Sequence, residues 1–197
     1  MKWIFVTLVA AAFPAVAFDQ SHQAWSALLK KHVVLVEGGK ASKLDYAGMA
    51  QERAALREYL QTLARVSAVE FDGWSRSEQM AFLVNAYNAH TVEKILTRYP
   101  NLRSIWDFGR FFANPFRDPF FSLLGERLTL DRLEHEILRK KYPDPRVHYA
   151  VNCASIGCPM LREEAYAGTD LDNQLEEQAR RFLSDRTRNR FRDGRLE

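Results

Sequence analysis

The sequence predicts an α+β fold, a helix-rich single domain with a small sheet around a buried central helix. Three observations predict it. Residues 75–99 are apolar around almost the whole circumference of a helix, which is typical of a central one. Amphipathic helical patterns lie on both sides of this segment, and two short segments, 33–36 and 146–153, have the composition or the alternation of strands.

The first residues have the features of a secretory signal. Met1 and Lys2 precede an apolar run, residues 3–13, and the small residues 15–17 resemble a cleavage site. The apolar run is about eleven residues long and a membrane span needs roughly twenty, so an anchor is the weaker alternative. We expect residues 1–17 to be a signal peptide and the protein to be exported, to the periplasm if the source is a Gram-negative bacterium.

The remaining segment, residues 18–197, has the length of one domain. Of the 28 basic side chains one, Lys2, lies in the leader, so 27 remain against 25 acidic ones, a net charge of +2. That balance and the lack of a nucleotide fingerprint predict no nucleic-acid partner and no cofactor. We expect a soluble protein without a membrane span after signal cleavage, whose partner is a small-molecule or peptide substrate.

The first elements are short. Residues 20–31 have apolar side chains at helical spacing, the β-branched run 33–36 predicts a strand, and Gly38 with Gly39 predicts a turn. A second helix is predicted over 46–66. Its inward face is formed by Met49, Leu56, Leu60 and Leu63.

Polar residues interrupt the apolar surface of the central helix. Asn85 and Asn88 are three residues apart and share a face, and His90 lies elsewhere on the helix. Buried amides need hydrogen-bond partners, so the favoured interpretation is that both asparagines bind the backbone of a neighbouring loop. The functional interpretation makes them part of a pocket wall. His90 is interpreted as a core histidine.

An aromatic segment, residues 106–121, follows the central helix. It contains six phenylalanines among prolines and glycine without a regular period. The favoured prediction is an irregular piece of core, and the alternatives are a lid over an apolar pocket or, if the segment is exposed, a docking surface.

The next helix is predicted to begin at a cap formed by Thr129 or Asp131 and to end near Lys141. Glu134 and His135 lie in its first turns. With Asp131 as the cap, Glu134 occupies the position from which a carboxylate returns to the cap amide. A structural role of this kind and a catalytic role are both open.

Residues 146–153 alternate, which predicts a strand with Val147, Tyr149, Val151 and Cys153 on one side. His148 lies on the opposite side from Cys153 in this arrangement. The last helix is predicted over 171–184. Seven arginines between Arg180 and Arg195 alternate with acidic residues, which favours a solvated surface.

The segment 144–159 contains both cysteines of the chain with a histidine and an arginine. A cysteine nucleophile needs a lowered thiol pKa and a base held by a third group. Cys158 lies between a glycine and a proline, where amides of 154–157 could stabilise an oxyanion. The first hypothesis is a cysteine-dependent hydrolase or acyl transferase.

Its site residues divide into two groups. The catalytic candidates are the nucleophile Cys158, the bases His148 and His135, and the orienting residue Glu134. The substrate-binding candidates are Arg146 for an anionic group, Asn85, Asn152 and Cys153.

The alternative hypothesis is a non-enzymatic envelope binding module. An exported protein meets an oxidising compartment, where Cys153 and Cys158 could form a structural disulfide. A zinc site would use both cysteines with His135 and His148, but the paired ligand spacing of zinc motifs is absent, so no metal is predicted. A redox pair is disfavoured by the spacing of the two cysteines.

Three segments together resemble a known family. They are FLVNAYNA at 82–89, LTLD at 128–131 leading to EHEILR at 134–139, and DPRVHYA at 144–150 continuing to the cysteines. The chain resembles the domain of unknown function 547 family, found in exported bacterial proteins and in plant proteins.

The resemblance covers most of the chain and implies a helix-rich α+β domain, but no reaction. It implies that the family's pattern includes Asn85, Glu134, His135, Arg146, His148, Cys153 and Cys158. Relatives continue past the arginine-rich segment into strand-like sequence, so we expect this chain to lack a C-terminal strand and to leave a sheet edge uncovered.

Overall fold

A computed structural model describes residues 17–109 and 114–196. All of the predicted signal peptide except Ala17 lies outside the described residues. Within the described ranges, no helix is long and apolar enough to cross a membrane.

The structure is helix-rich α+β, which confirms the predicted fold class. Its α-helices over the described residues are α1 (Gln23–His32), α2 (Tyr46–Gln51), α3 (Arg53–Arg65), α4 (Ala68–Asp72), α5 (Arg76–Leu96), α6 (Arg139–Lys141), α7 (Val147–Ala150) and α8 (Leu171–Ser184). A π-helical segment, Arg132–Leu138, leads directly into α6.

The strands pair as separate antiparallel hairpins rather than as one sheet. They are β1 (Val33–Val36) with β2 (Ala41–Leu44), β3 (Phe121–Leu123) with β4 (Glu126–Leu128), and β5 (Phe191–Arg192) with β6 (Arg195–Leu196). The sequence did not predict β2, because Ala-Ser-Lys-Leu lacks the β-branched residues that identify β1. Val33 pairs with Leu44, which sets the register of the first hairpin.

The helix α5 is the central element of the core, as predicted. Ser75 caps it through a capping box with Glu78. Between Met80 and Leu96 every residue except Glu93 is buried. An all-round apolar surface therefore lets other elements pack on several sides of this helix.

The predicted helix over 46–66 is two helices, separated at Glu52. Glu52 has φ −103° and ψ 18°, outside helical values. Its carboxylate accepts a hydrogen bond from His32 Nε2 at 3.1 Å and pairs with the Lys31 ammonium. The predicted inward face of both helices is buried, so the break changes their direction and not their packing pattern.

The predicted strand over 146–153 is wrong, because residues 147–150 form the short helix α7. The Asp144 carboxylate accepts a hydrogen bond from the Arg146 amide at 2.9 Å, which starts the turn. Val147, Ala150 and Val151 are the buried residues, and this i, i+3, i+4 spacing is helical. The apolar residues thus fit both periods over so short a segment, and the aspartate turn favours the helix.

The described part of the aromatic segment packs on α5. Lys94 is buried, its ammonium lies 4.3 Å from the centroid of Phe120 and 5.3 Å from that of Phe108, and it pairs with Asp118 at 3.1 Å. This agrees with an irregular piece of core. Residues 110–113 of the segment lie outside the described residues.

His22, His32 and His90 are buried, and two of them, His22 and His90, have strongly lowered pKa values. His22 Nδ1 lies 2.7 Å from the Tyr59 hydroxyl, and His90 stacks on Phe121 with ring centroids 3.9 Å apart. Burial lowers the pKa of His22 to about 4 and that of His90 to about 3. Both imidazoles are therefore neutral in the folded protein at pH 7, as expected for the core histidine at position 90.

Acid should destabilise the protein through these two residues. In the unfolded chain each histidine binds a proton near its ordinary pKa of 6.5. Between pH 6.5 and 4 the unfolded state therefore binds more protons, and the free energy of unfolding should fall by about 1.4 kcal/mol per pH unit for each histidine. Urea unfolding at several pH values should show that the free energy of unfolding of His90→Leu falls less between pH 6.5 and 4 than that of the parent. Equal decreases in the two proteins would contradict a neutral buried His90.

Close packing at Gly168 gives a second prediction. A Cβ atom at this position would lie 2.9 Å from both the Cα and the amide nitrogen of Glu78, at the start of α5. Gly168→Ala should therefore lower the free energy of unfolding by about 1–3 kcal/mol. Gly157, where a Cβ meets nothing within 4 Å, provides the control Gly157→Ala. Similar denaturation midpoints for the two variants would show that the chain at Gly168 moves away freely.

Candidate functional site

The segment between α7 and α8 contains the cysteines and has no regular secondary structure over most of its length. We call residues 151–167 the inner segment, whose first peptide group includes the Ala150 carbonyl. Much of it is buried, so its backbone groups need partners that strands or helices do not supply.

Two asparagines of α5, Asn85 and Asn88, supply some of these hydrogen-bond partners. Asn85 Nδ2 donates to the Tyr166 carbonyl at 2.7 Å, and its Oδ1 accepts from the Tyr166 amide at 3.0 Å. Asn88 donates to the Ala150 carbonyl at 2.9 Å and accepts from the Asn152 amide at 2.8 Å. Asn85 and Asn88 thus hold a neighbouring loop, in agreement with the structural interpretation of their sequence positions.

Glutamines of α8 bind the same segment from another helix. Gln174 donates to the Ala165 carbonyl at 3.0 Å and accepts from the Ala167 amide at 2.9 Å. Gln178 donates to the Met160 carbonyl at 2.7 Å. The inner segment is therefore held between α5 and α8 by side-chain amides.

Cys153 and Cys158 are joined by a disulfide, with Cα atoms 5.9 Å apart. Asn152 closes the same loop, because its Nδ2 donates to the Pro159 carbonyl at 2.7 Å and its Oδ1 accepts from the Ala154 amide at 3.0 Å. The amide of Ala154, one of the predicted oxyanion donors, is therefore already bonded.

Arg188 attaches this loop to the rest of the molecule. Its guanidinium donates to the Cys158 carbonyl at 2.6 Å and to the Lys40 carbonyl at 2.9 Å, and pairs with Asp185 at 2.6 Å. The tip of the loop remains in solvent, with Ile156 95% exposed. The disulfide loop is thus fixed at its base and exposed at its tip.

Arg146 lies among carboxylates. It pairs with Asp144 at 2.8 Å and with Asp172 at 2.7 Å, and Glu176 is 3.8 Å away. Hydrogen bonds to these carboxylates raise the pKa of Arg146, and Arg146 in turn lowers that of Asp144. Its guanidinium connects α7 to the first turn of α8, and its charge is already balanced.

Glu134 does not return to the helix start. Thr129 Oγ1 accepts from the Arg132 amide at 3.0 Å and is the cap. Glu134 instead accepts from Arg139 Nη2 at 2.9 Å, and the same nitrogen lies 2.8 Å from His148 Nδ1. The structure therefore brings Glu134 and His148 together through a residue that the sequence did not single out.

Arg139 was missed because α-helical periodicity places i and i+5 on different faces. In the π-helical segment the Arg139 amide bonds to the Glu134 carbonyl, five residues earlier, and the two side chains meet. An open cleft of about 430 Å³ lies beside them. Its lining residues are Arg139, Pro143, Asp144, Pro145, His148 and Tyr149.

The remaining predicted residue, His135, is exposed on the π-helical segment, and its side chain has no hydrogen-bond partner within the described part of the chain. The predicted site residues thus do not form one site. Cys153, Cys158 and Asn152 lie at the disulfide loop, Arg146 lies among carboxylates, and Glu134 and His148 meet at Arg139. Asn85 and His135 lie apart from all three places. Within the described ranges, no group of three or more His, Cys, Asp or Glu side chains is arranged to hold a metal ion.

The matched region of the chain identifies its family. Residues 71–183, which extend from α4 to α8 and include every predicted site residue, match the family described as protein of unknown function, DUF547. The chain belongs to this family. No curated protein and no solved structure matches the chain.

The asparagine contacts should matter for stability. Asn88→Ala leaves the Ala150 carbonyl and the Asn152 amide without partners, so the free energy of unfolding should fall by about 3 kcal/mol in denaturant titration. Asn173→Ala, on the exposed surface of α8, should change it by less than about 1 kcal/mol. Equal losses in the two variants would contradict a structural role for Asn88.

Proposed function

We propose that the protein is a non-enzymatic binding module of an exported protein, with a structural disulfide. The observation that carries this proposal is the bond between Cys153 and Cys158. The chain has two cysteines, and the bond uses both. A hydrolase or acyl transferase of the cysteine type needs a thiolate, which this state does not provide.

The surroundings of the cysteines support the same proposal. The hydrogen bonds around the loop are made by Asn152 and Arg188, and both bind backbone carbonyls. The imidazole of His148 is bonded to Arg139 instead. A nucleophile and base pair, which would need hydrogen-bond contact between thiol and imidazole, is thus not assembled among the described residues.

Export and the disulfide are consistent with one another. Disulfides persist in oxidising compartments and are rare in reducing ones. The leader-like residues 1–17 would direct the chain to such a compartment. A short loop held closed by a disulfide presents its exposed tip in one conformation, as a binding surface requires.

Removal of the disulfide between Cys153 and Cys158 should affect only the stability of the folded protein, by lowering its melting temperature. A loop of this length contributes about 2 kcal/mol through the entropy of the unfolded chain. The variant with Cys153→Ser and Cys158→Ser should therefore melt about 4–8 °C below the oxidised parent in calorimetry. Ser155→Ala, an exposed change in the same loop, should melt like the parent.

The oxidation state of the two cysteines distinguishes the binding module from the hydrolase. Mass spectrometry after alkylation, with and without reductant, should find the thiols of the purified protein blocked until reductant is added. A free and rapidly alkylated Cys158, together with a hydrolytic turnover that Cys158→Ala removes at unchanged melting temperature, would overturn the binding module and favour the hydrolase.

A further inference from the structure

The cleft beside the π-helical segment contains polar groups that the disulfide loop does not use. We propose that this cleft binds the anionic oxygen group of a ligand, a carboxylate or a phosphate, through Arg139 and His148. The inference rests on the proposed function in that the ligand is bound and not converted.

The backbone beside the cleft is π-helical. π-helical segments are rare in proteins and occur frequently at functional sites, since they interrupt the regular hydrogen-bond pattern of a helix. Here the segment places Arg139 over Glu134, which is half-buried with its side chain 13% exposed. Burial, and then the nearby Glu134 carboxylate, raise the pKa of the Tyr87 hydroxyl on α5. The arginine is thus paired with a carboxylate that lies next to the central helix.

The contact with Arg139 determines the tautomer of neutral His148. An arginine side chain only donates hydrogen bonds, so the ring nitrogen 2.8 Å from Arg139 Nη2 must accept. Neutral His148 therefore carries its proton on Nε2. Because His148 is exposed and lines the cleft, this N–H group is a donor that a ligand can reach.

The carboxylates at the cleft are already paired with arginines. Its own carboxylate, Asp144, is bonded to Arg146, and Glu134 is bonded to Arg139. Within the described part of the chain, the Nε and Nη1 groups of Arg139 have no hydrogen-bond partner. The groups still able to bind a ligand are therefore mainly N–H donors, and an anionic oxygen complements them.

The walls limit the rest of the ligand. Pro143, Pro145 and Tyr149 offer apolar surface next to the donors. The volume of about 430 Å³ accommodates a small molecule or the end of a peptide. A ligand with an apolar body attached to its anionic group therefore fits the cleft.

NMR titration of the full-length oxidised protein tests the inference with three probes: benzoate, inorganic phosphate, and benzamide as the uncharged counterpart of benzoate. Benzoate, phosphate or both should shift the signals of His148 and Tyr149, and benzamide should not. Loss of a charged hydrogen-bond donor should weaken binding about tenfold or more in Arg139→Gln. His148→Ala, an exposed change that should fold normally, should also weaken it.

The control is Arg132→Gln. Arg132 lies at the start of the π-helical segment that leads to Arg139, is similarly exposed and also pairs with one glutamate, Glu126. Its replacement should leave anion binding unchanged. Benzoate binding alone would assign a carboxylate ligand, and phosphate binding alone a phosphate ligand.

Three results would overturn the inference: no shift at the cleft with either anion, equal binding of benzamide and benzoate, or equal losses in Arg139→Gln and Arg132→Gln. Alkylation of the same samples separates this failure from that of the proposed function. Absent anion binding with an intact disulfide refutes only the anion site, whereas a free reactive thiol refutes the binding module whatever the cleft binds.

Discussion

The structure depends on the hydrogen bonding of a buried segment that is neither helix nor strand. An unpaired buried backbone group costs free energy comparable to a lost hydrogen bond, so the inner segment would be unstable inside the core without partners. Side-chain amides supply them, Asn85 and Asn88 from α5 and Gln174 and Gln178 from α8. The fold therefore replaces part of a sheet by amide side chains on two helices.

An amide side chain suits this purpose because it carries a donor and an acceptor side by side. Asn85 binds both the carbonyl and the amide of Tyr166, much as a neighbouring strand would. Spacings of three on α5 and four on α8 keep each pair on one helix face. The inner segment thus links the two helices, and their relative position follows from directional bonds as well as from apolar packing.

The ends of the inner segment are fixed by charge and by the disulfide. Arg146 joins α7 to the start of α8 through Asp144 and Asp172, and Arg188 joins the cysteine loop to the first hairpin. These contacts explain why the arginine and the cysteines occur so close in sequence without forming one reactive centre. Each of them is used to position backbone.

Much of this could be predicted from the sequence. The central helix follows from its all-round apolar surface, and the last helix was predicted with its observed bounds, Leu171–Ser184, because its apolar face repeats over several turns. The partners of Asn85 and Asn88 were predicted by type, since a buried amide must bond to something. The sequence did not predict the helix α7, because four residues are too few to distinguish the periods of helix and strand.

The arrangement at Arg139 shows why the candidate site itself was less predictable. Sequence reasoning left Glu134 open between a role at the helix start and a catalytic role, and both assumed α-helical geometry, in which residue 139 would not meet it. In a π-helix the backbone amides bond to the carbonyls five residues earlier, and this changes which side chains are neighbours. No residue type in 132–138 predicts that change. Once Arg139 contacts both Glu134 and His148, the imidazole is a donor at its free nitrogen and not a base. The same histidine that seemed suited to activate a thiol is thereby suited to hold an anion.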